Sequence, residues 1–322
     1  MKSFIISKND SDQRLDKFVT KTVPNLPKAL MYKYIRTKRI KVNKKKSEIS
    51  ARLRTGDLVE MYINDEFFVK SETKYDFSSA SDKIDIIYED DNIILLDKKA
   101  GLLCHPDDKE YIDTLISRVK KYLYNKGEYD PDEENSFTPA LVNRIDRNTG
   151  GIVIAAKNAA SLKILNAQMK ERNLKKTYLC VVHGVMERKS GLLEGWLVKD
   201  ESKNRVRIYN KYTDGAKEIK TKYRVIENDT RNNLSLLEVD LLTGRTHQIR
   251  AHFASIGHPL LGDGKYGKNE LNKKLGYKRQ FLYSYKLTFD LDENAGELSY
   301  LMGKTFTSDN VWFVKEFKER NL

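Results

Sequence analysis

Apolar side chains near the N-terminus recur at helical spacing and then at strand spacing. Leu15, Phe18, Val19 and Val23 lie three and four residues apart and predict a helix, which Ser11 or Asp12 is placed to cap. Asn25 and Pro27 mark the start of a second helix, with Leu30, Met31, Tyr34 and Ile35 on its apolar side. A strand at 40–42, a turn at Gly56-Asp57 and a strand at 58–63 follow. Two short helices and a few strands make a small module with its own core.

Residues 64–83 are polar and Ser-rich and read as a linker. Beyond it, strands are expected at 84–88, 93–96, 152–156, 178–182, 234–240 and 282–289, and helices at 113–124, 159–172 and 247–256. The strands cluster as hairpins instead of alternating with helices. That predicts an α+β fold with a mostly antiparallel sheet, not a doubly wound parallel one. Residues 127–136 (GEYDPDEENS) carry no periodicity and read as a mobile surface loop.

Charge adds a partner to this picture. The 322-residue chain carries a net +13. Residues 1–74 hold eighteen Lys/Arg against nine Asp/Glu, so most of the excess sits in under a quarter of the chain. From Lys28 to Lys46 there are nine Lys/Arg and no acid. Lys28, Lys33, Arg36, Lys38, Arg39, Lys41, Lys44 and Lys45 are the candidate contacts to a polyanion, where counterion release from phosphates supplies affinity. The alternative is a solubilising tail, and the helical spacing of the apolar residues argues against it. No apolar run approaches the roughly 20 residues of a membrane span, so no membrane association is expected. The first residues lead straight into Asn9, Asp10 and Asp12, without the apolar stretch of an export signal. Cys104 and Cys180 lie far apart, and with no export signal a reducing cytoplasm is the expected location.

Several familiar motifs fall away. Gly262-Asp263-Gly264-Lys265-Tyr266-Gly267 matches G-x-G-x-x-G formally, but outside any βαβ unit it reads as a turn after Pro259. The P-loop spacing and the G-x-S-x-G elbow are missing. His247, His252 and His258 do not share one helical face, and no Cys pair or H-E-x-x-H supports a metal; neither metal nor cofactor is expected.

Three segments remain unusual. From Ala140 to Ala155 an apolar run is broken by Arg144-Ile145-Asp146-Arg147, turns on Gly150 and Gly151, and resumes as a strand. Asp146 is a candidate catalytic carboxylate there; the alternative is a hairpin whose Asp and Asn serve turn hydrogen bonds. Lys176 through Gly184 is a strand with one phenol, Tyr178, near its start. From Leu242 to Phe253 a strand ends at Gly244 and a polar, basic helix begins, with Thr246 placed to cap it.

Together these segments resemble the RluA family of pseudouridine synthases. The family's His-Arg-Leu-Asp-Arg-x-Thr-Ser/Gly-Gly appears as Asn143-Arg144-Ile145-Asp146-Arg147-Asn148-Thr149-Gly150-Gly151. Its later signature appears as Gly244-Arg245-Thr246-His247-Gln248-Ile249-Arg250-Ala251-His252, followed by Gly257 through Asp263. The Tyr178 strand and the segment Tyr88 through Gly101 fit in order, and the front module is similar to the small RNA-binding domain named after ribosomal protein S-four. The likeness covers nearly the whole chain. Three departures stand out: Asn143 for His, Lys99 for Pro, and Leu282-Tyr283-Ser284 for Leu-His-Ala.

The resemblance implies an isomerase that turns uridines of structured RNA into pseudouridine without a cofactor. Large-subunit ribosomal RNA is the first expectation and transfer RNA the second. It implies an RNA-binding domain over 1–74 and a mixed-sheet catalytic domain over 75–322, acting as a monomer. Asp146 is then the catalytic carboxylate, Arg250 its ionic partner, and Tyr178 the residue that packs on the base and later removes a proton. Arg144 fills the space left by a flipped uridine, and Leu282 walls the pocket. Two other readings are a non-catalytic RNA-binding or ribosome-assembly factor and a carboxylate-dependent glycosidase. The latter needs a second acid, whereas the residues around Asp146 are basic.

Overall fold

The apolar spacing of the front module becomes a core. A computed structural model of the chain describes residues 1–68, 75–200, 202–267, 269–274, 276–277, 279–319 and 322. Strand β1 (Lys2–Ile5), helices α1 (Leu15–Thr22) and α2 (Lys28–Arg36), and strands β2 (Ile40–Val42) and β3 (Leu58–Met61) build it. The strands pair antiparallel in the order β1-β3-β2. Phe18, Val19, Ile35, Ile40, Val59 and Met61 are wholly buried between helices and sheet, each such burial being worth about 1.5–3 kcal/mol. Strand β1 escapes the hydropathy pattern because Phe4 is its one residue turned inward, onto Phe18 at 5.9 Å. Neither Ser11 nor Asp12 caps α1. Arg14 holds that position without a side-chain cap bond, its guanidinium paired with Asp16, and Asp12, at φ 59°, turns its carboxylate to Arg52 and Lys163.

By contact the chain divides into two units. The first comprises Met1–Lys83, His105–Ala140 and Ala156–Lys163; the second comprises Ile84–Cys104, Leu141–Ala155 and Ile164–Leu322. In the first unit, residues 127–136 are irregular but not a free loop. Asp10, fully buried, accepts from Ser7 N (3.2 Å), Ser7 Oγ (2.9 Å), Asn135 Nδ2 (2.7 Å) and Ser136 Oγ (2.6 Å). Asn9 donates to Glu134 at 2.6 Å. The segment spends its polarity on this latch, so its lack of periodicity is not a sign of freedom. Of the expected linker, residues 69–74 lie outside the described residues; beyond them Phe77 is buried among Tyr75, Tyr124 and Tyr129. Helix α3 (Leu115–Asn125) is capped by Thr114, whose hydroxyl accepts from Ser117 N.

The second unit is organised by one large sheet. Its strands are β4 (Ile86–Glu89), β5 (Ile93–Lys98), β6 (Ala140–Leu141), β7 (Gly150–Ala156), β8 (Leu174–His183), β9 (Ser190–Asp200), β10 (Arg205–Tyr209), β11 (Lys217–Asp229), β12 (Leu234–Leu241), β13 (Leu282–Phe289) and β14 (Thr305–Thr307). The path runs β10-β9-β11-β12-β8-β13-β7-β5-β4, with β14 beside β13 and β6 beside β7. Its pairs are antiparallel from β10 through β13, and β13 meets β7 in parallel. Helices α5 (Gln248–Ser255), α6 (Asn269–Lys274) and α7 (Trp312–Lys318) belong to this unit, and α4 (Ala159–Lys170) is divided at Lys163 between the two units. The fold is the α+β mixed-sheet class expected. Strands β9 to β11 are not among the expected ones; in β11 the inward Ile219, Thr221 and Tyr223 alternate with Lys, Glu and Arg. Among the described residues no helix is long and apolar enough to cross a membrane.

Candidate active site

The site begins where the chain enters β7. Asp146 sits in a turn closed by Thr149 N donating to its carbonyl at 3.1 Å. Gly150 and Gly151 follow because nothing larger fits. A Cβ on Gly151 would lie 2.2 Å from the Ser284 carbonyl oxygen, and one on Gly150 2.5 Å from the Tyr283 ring. Gly151 also holds φ +115°, open to glycine at no steric cost. Asn143 takes up the β7 backbone, accepting from Ile154 N at 2.9 Å and donating to Ile152 O at 3.4 Å. A short amide that does both jobs accounts for Asn at this position.

From below, Lys98 fixes the same turn. Its ammonium is buried and donates to the carbonyls of Lys99 (3.0 Å), Leu102 (2.7 Å) and Arg147 (3.0 Å). Burial brings its pKa down to about 8. Arg147 closes the knot by donating to Gly101 O at 3.0 Å and accepting from Gly101 N at 2.7 Å.

Arg250, on α5, reaches Asp146 from the other side. Its Nη1 donates to Asp146 Oδ2 at 2.7 Å, while Nε and Nη2 grip Asp263 at 2.7 and 2.9 Å. Asp263 is fully buried and also accepts from the amides of Lys265 (2.8 Å) and Tyr266 (3.1 Å). Burial acts to raise its pKa, but the bonds and charge of Arg250 hold it below the usual carboxylate range. Burial likewise works against the Arg250 cation, and the two carboxylates outweigh it and push its pKa up. One guanidinium therefore joins a buried anchor to a carboxylate whose side chain is 26% exposed. The planar fork permits this, and a lysine could not hold both partners in fixed directions.

Tyr178 and Leu282 come to the same place. Both are buried in one apolar cluster with Ile249 and Phe253, against which Ile145 packs. Ser284 faces Tyr178 in register across β8 and β13. Burial pushes the Tyr178 phenol up to about 12, with the Asp146 charge adding to the effect. Arg144 is exposed, and the basic side chains from Lys28 to Lys45 belong to the other unit, where all but Lys41 are exposed.

Two residues of the site lie within the later signature but have no role assigned from the sequence. Asp263 hides in a Gly-rich turn. His247, rather than Thr246, caps α5, at φ 52° and without a side-chain cap bond, and its Nε2 stands 3.9 Å from Asp146 Oδ2.

The family model for RNA pseudouridylate synthase matches residues 92–255, a span that includes Asp146, Tyr178 and Arg250. An uncharacterised RNA pseudouridine synthase of Mycoplasma genitalium is 35% identical over 89% of this chain and 88% of its own length. The chain belongs to the RNA pseudouridylate synthases. As such it is an isomerase that converts uridine in RNA to pseudouridine. The ribosomal large subunit pseudouridine synthase C of Rickettsia felis is 35% identical over 80% of this synthase and 83% of its own length. The Haemophilus influenzae protein of that name is 28% identical over 93% and 90%. Human RNA pseudouridylate synthase domain containing 4 shares the fold, with a TM-score of 0.56 at 17% identity over 73% of this synthase and 92% of that chain.

Proposed function

We propose that this synthase modifies uridines of large-subunit ribosomal RNA, with Asp146 as its catalytic carboxylate. The observation that carries the reading is the Asp146–Arg250–Asp263 line, which holds one partly exposed carboxylate in a fixed direction beside a buried phenol. Isomerisation breaks the bond between sugar and base nitrogen, turns the base, and rejoins the sugar to a ring carbon. The nitrogen gains a proton and the new attachment carbon loses one. An ionised carboxylate and a proton acceptor suffice for this. The relatives named for the ribosomal large subunit support the choice of RNA. Mapping pseudouridines in total RNA from wild-type and gene-deleted cells tests it. A lost site in large-subunit RNA is expected, and a lost site in transfer RNA alone would overturn it.

A stacked uridine cannot present its glycosidic bond, so the base flips out at a cost of a few kcal/mol. Arg144, exposed and planar, fills the vacated space, and Leu282 walls the pocket. Residues 1–74 act as an RNA-binding module like that of ribosomal protein S-four, ahead of a catalytic domain over 75–322. Lys28, Lys33, Arg36, Lys38, Arg39, Lys41, Lys44 and Lys45 contact phosphates. Replacing Lys33, Arg36, Lys44 and Lys45 by Gln in the full chain is expected to weaken binding to structured RNA. Each lost phosphate contact flattens the logarithmic salt slope by roughly 0.7–0.9. An unchanged slope in filter-binding titrations would leave these charges as a solvated face.

Tyr178 packs against the base and takes part in the final proton removal. With its pKa at about 12 the resting group is a neutral phenol, so it takes the carbon's proton only as its own passes on toward the base nitrogen, the atom that ends with one proton more. The substitution Tyr178→Phe is expected to preserve RNA binding and to form little pseudouridine, because the ring survives and the oxygen does not. Single-turnover release of tritium from uridine labelled at C5 measures it. Rates near wild type would leave Tyr178 a packing residue.

A further inference from the structure

We propose that His247 is a positioning residue of the reaction: its Nε2–H, fixed in one tautomer by Tyr266, stands with Arg250 against Oδ2 of Asp146 and reserves Oδ1 for the uridine. The inference rests on Asp146 being the catalytic carboxylate.

A hydrogen-bond relay carries it. Val206 N donates to Tyr266 Oη at 2.9 Å, which leaves the phenolic proton free to point elsewhere. Tyr266 Oη lies 2.9 Å from His247 Nδ1. With the phenol as donor Nδ1 is the acceptor, and the ring's one proton then sits on Nε2. Nε2 faces Asp146 Oδ2 at 3.9 Å. That is longer than a formed hydrogen bond, and catalytic contacts are often loose before substrate enters and tighten afterwards.

The ring is neutral. Burial carries its pKa down to about 4, and among its charged neighbours Arg250 and Lys265 act in the same direction while Asp146 and Asp263 oppose. A neutral donor adds direction to the carboxylate without a second full charge in the pocket. Arg250 already occupies Oδ2, so both donors converge on one oxygen. Oδ1 takes no protein donor among the described residues. His247 holds a left-handed backbone conformation, which histidine and asparagine adopt more readily than most side-chain-bearing residues.

The test uses the full-length enzyme and total RNA from gene-deleted cells grown with uridine tritiated at C5. Tritium release gives kcat and an apparent KM for each variant. Wild type and Asp146→Asn frame the experiment. An active Asp146→Asn enzyme would fail the carboxylate reading itself, whatever His247 does. His247→Asn tolerates the backbone and can accept from Tyr266 but brings no donor to Asp146. Its kcat is expected to fall by on the order of tenfold to a hundredfold, the scale of a displaced catalytic group, with apparent KM within about twofold. His247→Gln, whose amide nitrogen reaches the place of Nε2, is expected to recover most of the loss. Tyr266→Phe, which frees the tautomer without altering the His247 backbone but takes the acceptor from Val206 N, is expected to lower kcat by a smaller factor. The proposal is overturned if kcat is unchanged in His247→Asn, if the loss appears in KM instead, or if Gln does no better than Asn. Should His247→Asn not fold, an unchanged kcat in Tyr266→Phe overturns it.

Discussion

Asp146→Asn is expected to give a folded protein that binds RNA and forms no detectable pseudouridine. The amide matches the carboxylate in shape, and its oxygen can still accept from Arg250 Nη1, which lies 2.7 Å from Oδ2. The Asp146 side chain is 26% exposed, so the change opens no cavity and orphans no buried donor. Arg250 is buried but keeps Asp263 as its counter-ion, so stability should fall by about 1–3 kcal/mol, less than on loss of Asp263. What disappears is the negative charge with the lone pairs to attack carbon or remove a proton. Tritium release, read beside a thermal melt and a binding titration, separates the two effects. Pseudouridine from a clean preparation of this variant would take Asp146 out of the mechanism.

Asp263→Ala should have the largest effect on stability. It leaves the buried Arg250 cation facing Asp146 alone and strips two backbone amides, those of Lys265 and Tyr266, of their acceptor. Breaking a buried pair from one side costs about 3–5 kcal/mol, chiefly through the uncompensated charge. The pH dependence has a definite sign. The folded pKa of Asp263 lies below the ordinary 3.8, so its stabilisation is fully present above that value and is lost as the pH falls through the lower folded one. The gap between wild type and Asp263→Ala in urea midpoints should be constant near neutrality and narrow only in strong acid. A loss below about 1 kcal/mol would mean that water replaces the carboxylate and that Arg250 is not anchored there. Activity should fall too, since the guanidinium loses the grip that aims Nη1.

How much of this was legible follows from what each residue does. Strand β7 reads clearly because every position is buried and apolar, and α2 because Met31, Tyr34 and Ile35 keep a strict helical face. Strands β10 and β11 did not read, since their outward positions carry Arg, Lys or Glu, and β9 did not because Gly191 and Gly195 stand among its inward positions. Asp146 and Arg250 are 104 residues apart, and spacing arguments do not cross that distance; the resemblance joined them where periodicity could not. Asp263 reads as a plain turn residue because a Gly-rich turn looks alike with or without a buried ion pair at its head. His247 was passed over as one of three histidines with the wrong spacing for metal, and its role depends on Tyr266 through a fold contact that no linear pattern encodes.

The Asp10 latch separates two responses to ionic strength. The anion is enclosed by hydroxyl and amide donors from Ser7, Asn135 and Ser136, with no cation among these partners. Mobile ions screen exposed charges over about 10 Å at 0.1 M, and they act little on short bonds between a buried carboxylate and neutral dipoles. The phosphate contacts proposed for the lysines of α2 and the turn after β2 would weaken steeply in the same buffer. A high-salt wash can thus take the RNA off while the first helices stay fastened to residues 135 and 136. In this enzyme, letting go of substrate and coming undone are governed by different variables.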